Sequence, residues 1–576
     1  METVKDLNAE VIAVYPDKVK VSVDDLEDFK KADETLRVGS YIKVLDNENA
    51  ILICIIENFS IEVSDLGERK HIIEANPLGL IRNGEFIRGG DSLAIPPKTV
   101  EPATDEEIKA IYSNPAGNAE NFTFASLSMN NGIRMPVNGN KFFNKHIAVV
   151  GSTGSGKSHT VSTILQNAVK EKDESFQMNN SHIILFDIHS EYKSAFPDAS
   201  HFDINSLTLP YWLLNSEELE ELFLDTEAND HNQRNLFREA IVKNRKLNSD
   251  GNDVEKEKIH FDTPVFFELS EVFRYLKYRN SEKRNKDYEI KWKGEDGNLF
   301  LYNDETSYRL FREKGLTPEG TAAAGVTGKL VNFLNRLENK INDKRYEFLL
   351  GERSKTISFE ETLKNLLGYN EGNESNVTVI DLSGVPFEVL SITVSLISRI
   401  VFEYGYFYKK MRTENDPNEK VNNDAPILLV YEEAHKYVPD SDLSKFRSSK
   451  HSIERIAKEG RKYGVSLLLS SQRPSELSET IFSQCNNFIA MRMTNPYDQN
   501  YVKKLLPDTL GNLIDKMPSL KAGEALLIGD SVVLPSIVQV DKCDSPPSSS
   551  DIPYWDLWRE EWKELDITCI KNEWYK

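Results

Sequence analysis

Eight consecutive residues, Gly151-Ser152-Thr153-Gly154-Ser155-Gly156-Lys157-Ser158, fit the spacing G-x-x-x-x-G-K-[ST] at every fixed position. Glycines there let the backbone turn without a Cβ in the way, so successive N–H groups can wrap a chain of phosphates. Lys157 then places a point charge on the β- and γ-phosphates of ATP, and the Ser158 hydroxyl ligates Mg²⁺. His159, next in line, is counted with the nucleotide-binding residues. Hydrolysis also needs carboxylates at the end of a second strand, and Ile427-Leu-Leu-Val-Tyr431 ends in Glu432-Glu433. Glu432 is expected to hold the magnesium shell, and Glu433 to orient and deprotonate the attacking water. The plainer alternative is two exposed glutamates closing a strand. Gln472, after the apolar run Gly464–Leu469, would sense the γ-phosphate or position water, or else simply cap its strand. Between these motifs, Lys445 to Lys462 carries seven basic residues against two acids. The stretch reads either as a solvated helix face or as a device. In the second reading Lys458 and Arg461, one turn apart, meet the γ-phosphate held by a neighbouring subunit.

These residues need a scaffold that puts strand ends side by side. His146-Ile-Ala-Val-Val150 enters the glycine loop, and Val161, Ile164, Leu165 and Ala168 leave it at helical spacing. Further short apolar runs lie at Ile183–Phe186, Val377–Ile380, Ile427–Val430 and Gly464–Leu469, separated by helical stretches. That alternation predicts an α/β fold, a P-loop NTPase core with a parallel, doubly wound sheet. Residues 1–100 read as several short strands (Val11–Val23 as a hairpin, Tyr41–Val44, Ala50–Ile56, His71–Ile73), a small β-barrel. The expected division is a barrel over 1–100, a linker over 101–145 that begins at the Pro-rich Ile95–Pro102, and a core over 146–545. A helical insertion is expected at about 210–370, with Gly328–Leu337 as one helix. Ser545–Ser550 marks a break before a tail, 546–576, holding Trp555, Trp558, Trp562 and Trp574. Four tryptophans in so short a tail call for cover, either from the tail's own domain or from another subunit.

At 576 residues, with 39% hydrophobic and 28% charged, the chain has ample material for more than one folded unit. No apolar run reaches the ~20 residues that span a bilayer, and the polar start METVKDLNAE lacks a signal-peptide pattern. Cys54, Cys485, Cys543 and Cys569 are far apart, which suits a reducing cytoplasm and excludes a disulfide framework or zinc site. The net charge of −22 excludes attraction of the whole surface to nucleic acid, leaving only a locally basic channel for it. Too few residues follow Glu433 to build a second ATPase core. A tandem-core helicase is therefore not expected, and the arginine acting on the phosphates is expected from another copy.

In order, Thr153–Ser158, Asp187-Ile-His-Ser-Glu-Tyr192, Glu432-Glu-Ala-His435, Ile456–Gly464, Ser471-Gln-Arg-Pro474 and Thr494-Asn-Pro496 resemble the HerA family of DNA-translocating ATPases, relatives of the FtsK pumps. The likeness covers nearly the whole chain, weakest at 210–370 and after 545. It implies a RecA-like core, a barrel before it, and a homohexameric ring that threads double-stranded DNA. It also implies an effector encoded nearby, a nuclease or a sirtuin-like NAD-consuming enzyme, in DNA end processing or antiviral defence. A non-motor, ATP-gated platform for that partner is the other reading. Two departures stand out. Lys145 takes the place of a common arginine that would act in trans, keeping the charge but losing the planar fork. Glu432 takes the place of the commoner aspartate.

Overall fold

The computed structural model describes residues 9–574, apart from 16, 24–35, 46–49, 64–68, 90–98, 113–119, 172, 174, 176, 225–230, 370–371, 373, 417–422, 442–446, 506–510 and 550–551. Its first unit is an antiparallel sheet of β1 (Ala9–Val14), β2 (Val19–Val23), β3 (Tyr41–Leu45), β4 (Ala50–Val63), β5 (Arg69–Arg82), β6 (Glu85–Arg88) and β7 (Val100–Pro102). The order is β1-β2-β5-β4-β3-β7, with β6 paired to β5 along the edge that β5 also offers to β2. A bridge between Glu10 and Thr99 brings the last strand back to the first and curls the sheet into a small barrel. Val19, Val21 and Val23 are buried while Lys20 and Ser22 are not, which is the two-residue period of a strand with one wet face. β4 and β5 run well past the expected Ala50–Ile56 and His71–Ile73. Backbone pairing continues to Val63↔Arg69 although the side chains there turn exposed, Ile61 and Val63 among them.

Residues 101–145, read as a linker, are structured. Val100–Pro102 pairs with β3, while Ile95–Lys98 fall outside the described residues. A helix spans Asp105–Tyr112, and β8 (Asn121–Leu127) and β9 (Asn130–Asn138) form a hairpin. That hairpin belongs to the main sheet, completed by β10 (Ile147–Val150), β11 (His182–Asp187) and β12 (Ser200–Phe202). Then comes the insertion, mostly helical as expected, with two small sheets that were not. In these, β13 (Lys283–Arg284) pairs with β17 (Ala322–Ala323), and β14 (Lys291–Lys293) lies between β15 (Leu299–Leu301) and β16 (Thr317–Glu319). The expected helix at Gly328–Leu337 runs from Val331 to Asn342. Insertion residues Phe237, Trp292 and Phe333 share one hydrophobic core with Ile397 and Leu429. The buried pair Arg399–Glu218, at 2.8 Å, ties the insertion to the long helix Phe387–Asn415.

The main sheet resumes with β18 (Val377–Asp381), β19 (Ile427–Tyr431), β20 (Val465–Ser471), β21 (Asn487–Met491), β22 (Glu524–Gly529) and β23 (Ser536–Val540). Its eleven strands run β12-β18-β11-β19-β20-β10-β21-β22-β23-β8-β9. The seven strands from β12 to β21 are parallel, and the remaining four continue antiparallel. β10, β19, β20 and β21 are buried along their whole lengths, as strands covered on both faces must be.

Beyond β23 the chain lies as a strap across the P-loop helix, Lys157–Lys170. The buried Gln166 side chain accepts from Asp544 N–H (3.0 Å) and donates to the Ser545 carbonyl (2.8 Å). Ser194 holds the Pro546 carbonyl at 2.9 Å, and Ser548 N–H donates to the Glu191 carbonyl at 2.9 Å. The tail then forms two short helices, Tyr554–Trp558 and Ile567–Trp574. All four tail tryptophans are exposed, Trp562 by 93%, so the tail's own domain does not cover them. Among the described residues, no helix is long and apolar enough to cross a membrane. The four cysteines are free thiols.

Candidate active site

The P-loop leaves the C-terminal end of β10, whose neighbours are β20 and β21. Only glycine fits at 151, since a β-carbon there would lie 2.7 Å from Ser155 Oγ and 2.8 Å from Met491 Cβ. Gly156 caps the helix at φ +102°, a left-handed conformation that a side chain would strain. Ser152 N–H is spent on the Arg492 carbonyl (2.8 Å) and Ser155 N–H on Ser152 (3.2 Å). The first-turn amides at Lys157, Ser158 and His159 have no acceptor within the helix and suit an anion. The His159 side chain points elsewhere, its Nδ1 lying 3.3 Å from Cys543 Sγ. Lys157 is buried, with Nζ resting on the Ser152 carbonyl at 3.4 Å. Burial lowers its pKa, and Glu433, Glu432 and Glu191 oppose that drop by favouring the charge.

Glu432 and Glu433 end β19 beside this loop and are both buried, so the reading as exposed glutamates fails. Burial, with Asp187, Glu191 and Glu433 nearby, pushes the Glu432 carboxyl up to about 9. So crowded a set of carboxylates is relieved by a cation. His189, Glu432 and Glu433 bring ligand atoms within 4.8 Å of one another. The expected metal pair was Ser158 and Glu432, hard oxygen donors that fit Mg²⁺; the structure adds His189 and Glu433 to the neighbourhood. Glu433 sits at φ +46°, ψ +50°, an uncommon conformation for a glutamate and a local strain of about 1 kcal/mol or more. Several contacts hold it there. Gln472 donates to it from Nε2 (2.5 Å) and from its backbone N–H (3.3 Å), and His435 Nδ1 lies 3.2 Å away. Gln472 Oε1 in turn accepts from Thr153 Oγ1 of the P-loop. Gln472 thus links Glu433 to the P-loop, more than a strand cap would do.

The predicted cations are absent from this cluster. Parallel register puts Val150 beside Ser471 and Ile147 beside Leu468, so both strands point their C-termini at the nucleotide. Lys145 precedes β10, and Arg461 precedes β20, which has seven residues. They lie at the opposite edge of the sheet, about 20 Å away at ~3.3 Å per strand residue. The basic helix is also shorter than expected. It spans Arg447–Glu459 and gives way to a 3₁₀ turn at Gly460–Tyr463, where a β-carbon on Gly460 would lie 2.4 Å from the Val465 carbonyl. Lys445 falls outside the described residues. Lys145 pairs with Asp530 at 2.6 Å, Lys458 with Glu454 at 3.5 Å, and Arg461 is exposed.

Sequence reasoning assigned no role to several residues that the fold brings in. Asp187 is buried at the end of β11 and accepts from Tyr192 N–H (2.9 Å) and His189 N–H (3.2 Å). Its place at the tip of an apolar run was the available signal. Two arginines stand at the nucleotide edge in the same chain. Arg473 pairs with Glu476 at 2.7 Å, and the Arg492 guanidinium would lie 3.9 Å from a β-carbon on Gly154.

A parallel sheet with this loop, a strand-end glutamate pair and a bridging glutamine at one edge defines a P-loop ATPase with a single core. Residues 123–401 match the family described as "Helicase HerA, central domain". The chain is 24% identical over 539 residues to "Probable DNA double-strand break repair helicase HerA" of Methanocaldococcus jannaschii, covering 90% of this chain and 94% of that protein. It is 27% identical over 480 residues to "DNA double-strand break repair helicase HerA" of Sulfurisphaera tokodaii, covering 82% and 79%. Among solved structures, VirB4 of Thermoanaerobacter pseudethanolicus aligns at 13% identity and a TM-score of 0.45, over 76% of this chain and 98% of that one. The central part of the chain, residues 123–401, is thus that of a HerA helicase, and similarity to HerA helicases extends over most of its length.

Proposed function

We propose that the chain assembles head to tail into a ring, a homohexamer, in which ATP and Mg²⁺ power the threading of double-stranded DNA for a partner effector. The observation that carries this reading is the split of the catalytic groups between the two edges of one sheet. Lys157, Glu433 and Gln472 face the nucleotide, while Lys145, Lys458 and Arg461 stand about 20 Å off at the other edge. A neighbour's edge, laid over the first chain's nucleotide, completes the site, and repeating a head-to-tail contact closes a ring. In that site Ser158 and Glu432 hold the metal, which shields phosphate charge. Glu433 takes the water's proton, and Arg461 with Lys458 meets the charge growing on the γ-phosphate.

The experiment mixes Arg461→Ala subunits with Glu433→Gln subunits, each inactive alone. Random mixing pairs an intact arginine with an intact glutamate at about a quarter of the interfaces, so a similar share of ATPase activity returns. No return, with mixed rings confirmed by mass, would overturn the trans reading in favour of Arg473 or Arg492 acting in cis.

The DNA and the effector (a nuclease or a sirtuin-like NAD-consuming enzyme, in DNA end processing or antiviral defence) rest on the family resemblance, and the cytoplasmic setting on the scattered cysteines. The acidic bulk, net −22, supports binding inside a ring rather than on its outer surface. DNA-stimulated ATPase activity, and poor loading on duplexes with blocked ends, distinguish a motor from an ATP-gated platform.

A further inference from the structure

At the cation edge one buried side chain joins the pieces. His146 is 1% exposed and takes a left-handed backbone, φ +48°, just before β10. Its backbone carbonyl accepts from Asn487 N–H at 3.3 Å, and the carbonyl of Lys145 accepts from Asn486 N–H at 3.0 Å. These bonds tie the start of β10 to the start of β21. The ring makes two further bonds. Nδ1 accepts from Leu467 N–H at 3.0 Å, which leaves the proton on Nε2 to be donated to the Ala457 carbonyl, also at 3.0 Å. Ala457 lies in the last turn of the basic helix, and Leu467 lies in β20. The segment between them carries Lys458 and Arg461, so one imidazole closes the base of the loop that presents both cations. Residue 145, the third cation, is its chain neighbour. A backbone N–H and a carbonyl buried at such a place would each stay unsatisfied without the ring, a costly outcome.

We infer that His146 is the positioning residue of the cation edge: its ring fixes Arg461 and Lys458 relative to Lys145, and so acts on the nucleotide of the neighbouring subunit rather than on its own. This rests on the trans reading proposed above. The neutral form is the one required, since only it can accept at Nδ1. Burial, with the nearby charge of Arg461, holds the ring neutral, its pKa lowered to about 4. The placement is unexpected, because His146 opens the very strand that leads to the P-loop, and a role in its own site would be the natural guess.

The experiment uses His146→Ala and His146→Gln in the full chain. Misplacing the arginine by about 1 Å lowers kcat roughly 10²-fold, with KM for ATP unchanged, because the P-loop is left alone. Glutamine, which keeps one donor and one acceptor, restores part of the rate. Mixed with Glu433→Gln, His146→Ala subunits regain activity; mixed with Arg461→Ala they do not, both defects lying on the same edge. Recovery with Arg461→Ala but not with Glu433→Gln would place His146 in its own P-loop site and overturn the inference, as would wild-type kcat in His146→Ala. If His146→Ala fails to fold, His146→Gln is carried through the same mixtures at its smaller loss. The control pair Arg461→Ala with Glu433→Gln separates the two ideas. Its failure sinks the trans reading, whereas its success beside failure of His146→Ala with Glu433→Gln sinks only the role of His146.

Discussion

The two edges of the main sheet are built on opposite plans. At the nucleotide edge Lys157, Glu432 and Glu433 are buried, Gln472 is half-buried, and the groups are bonded to one another. Glu433, Gln472 and Thr153 form one chain of hydrogen bonds, and Glu433 is held in a strained backbone. At the cation edge the working groups are exposed or half-exposed and held loosely, by single pairs such as Lys145–Asp530 and Lys458–Glu454. Exposed pairs are worth about 0–1 kcal/mol, so a phosphate can take over the cation at small cost. Beneath these cations the side chain that links their segment to β20 is the buried His146. One edge is organised before its ligand arrives, while the other is organised to exchange partners.

The largest effect expected is that of Arg461→Ala, a loss of ~10³–10⁵ in kcat with ATP affinity kept. Lys157→Ala should lose the affinity as well, since Lys157 belongs to the preorganised edge. Equilibrium ATP binding beside kcat tests the contrast, and weakened binding in Arg461→Ala would erase it. Glu433→Gln comes next, at ~10²–10⁴ in kcat, with binding retained. An amide there cannot take the water's proton, and pre-steady-state product release checks that the chemical step is the one affected.

Deleting residues 551–576 sharpens the comparison from outside. If the exposed tryptophans brace a neighbour, ring mass and ATPase activity fall together, several-fold; an intact, active ring after deletion removes the brace. The smallest effect concerns stability. His146 is near 4 folded against an ordinary 6.5, so the unfolded chain takes up its proton first. Its contribution is therefore complete above about 6.5 and drains away as pH falls towards 4, by on the order of 3 kcal/mol at most. His146→Gln should flatten that acid limb of the stability profile relative to the parent chain, and parallel limbs would count against a buried neutral ring.

Much of the nucleotide edge was legible, because its chemistry sits in short segments. The P-loop spacing and the strand-end glutamates need only local backbone to be recognised. The cation edge was half legible. Its residues stood out by charge, but their distance from the P-loop follows from the register of β10 with β20, pairing residues more than 300 positions apart. The same blindness produced the supposed linker at 101–145. Phe122 and Phe124 alternate with polar neighbours as a strand should, yet what fixes β8 is Gln539 opposite Ser126, at the far end of the chain. Gly460, just after Glu459, was a readable stop for the basic helix, and the close approach of the Val465 carbonyl shows why a side chain is not accommodated there.

The strap that follows β23 has a mechanical consequence. Traced inward from the tail, its first attachments are to Glu191 and Ser194, then to Gln166 of the P-loop helix, and only afterwards to a strand. A pull on the tail therefore loads the walls of the nucleotide pocket before it loads the sheet. Tail and pocket are linked in series, like a cord tied to a latch rather than to the door frame. Whatever grips Trp555 to Trp574 would pull first on Glu191, Ser194 and the P-loop helix.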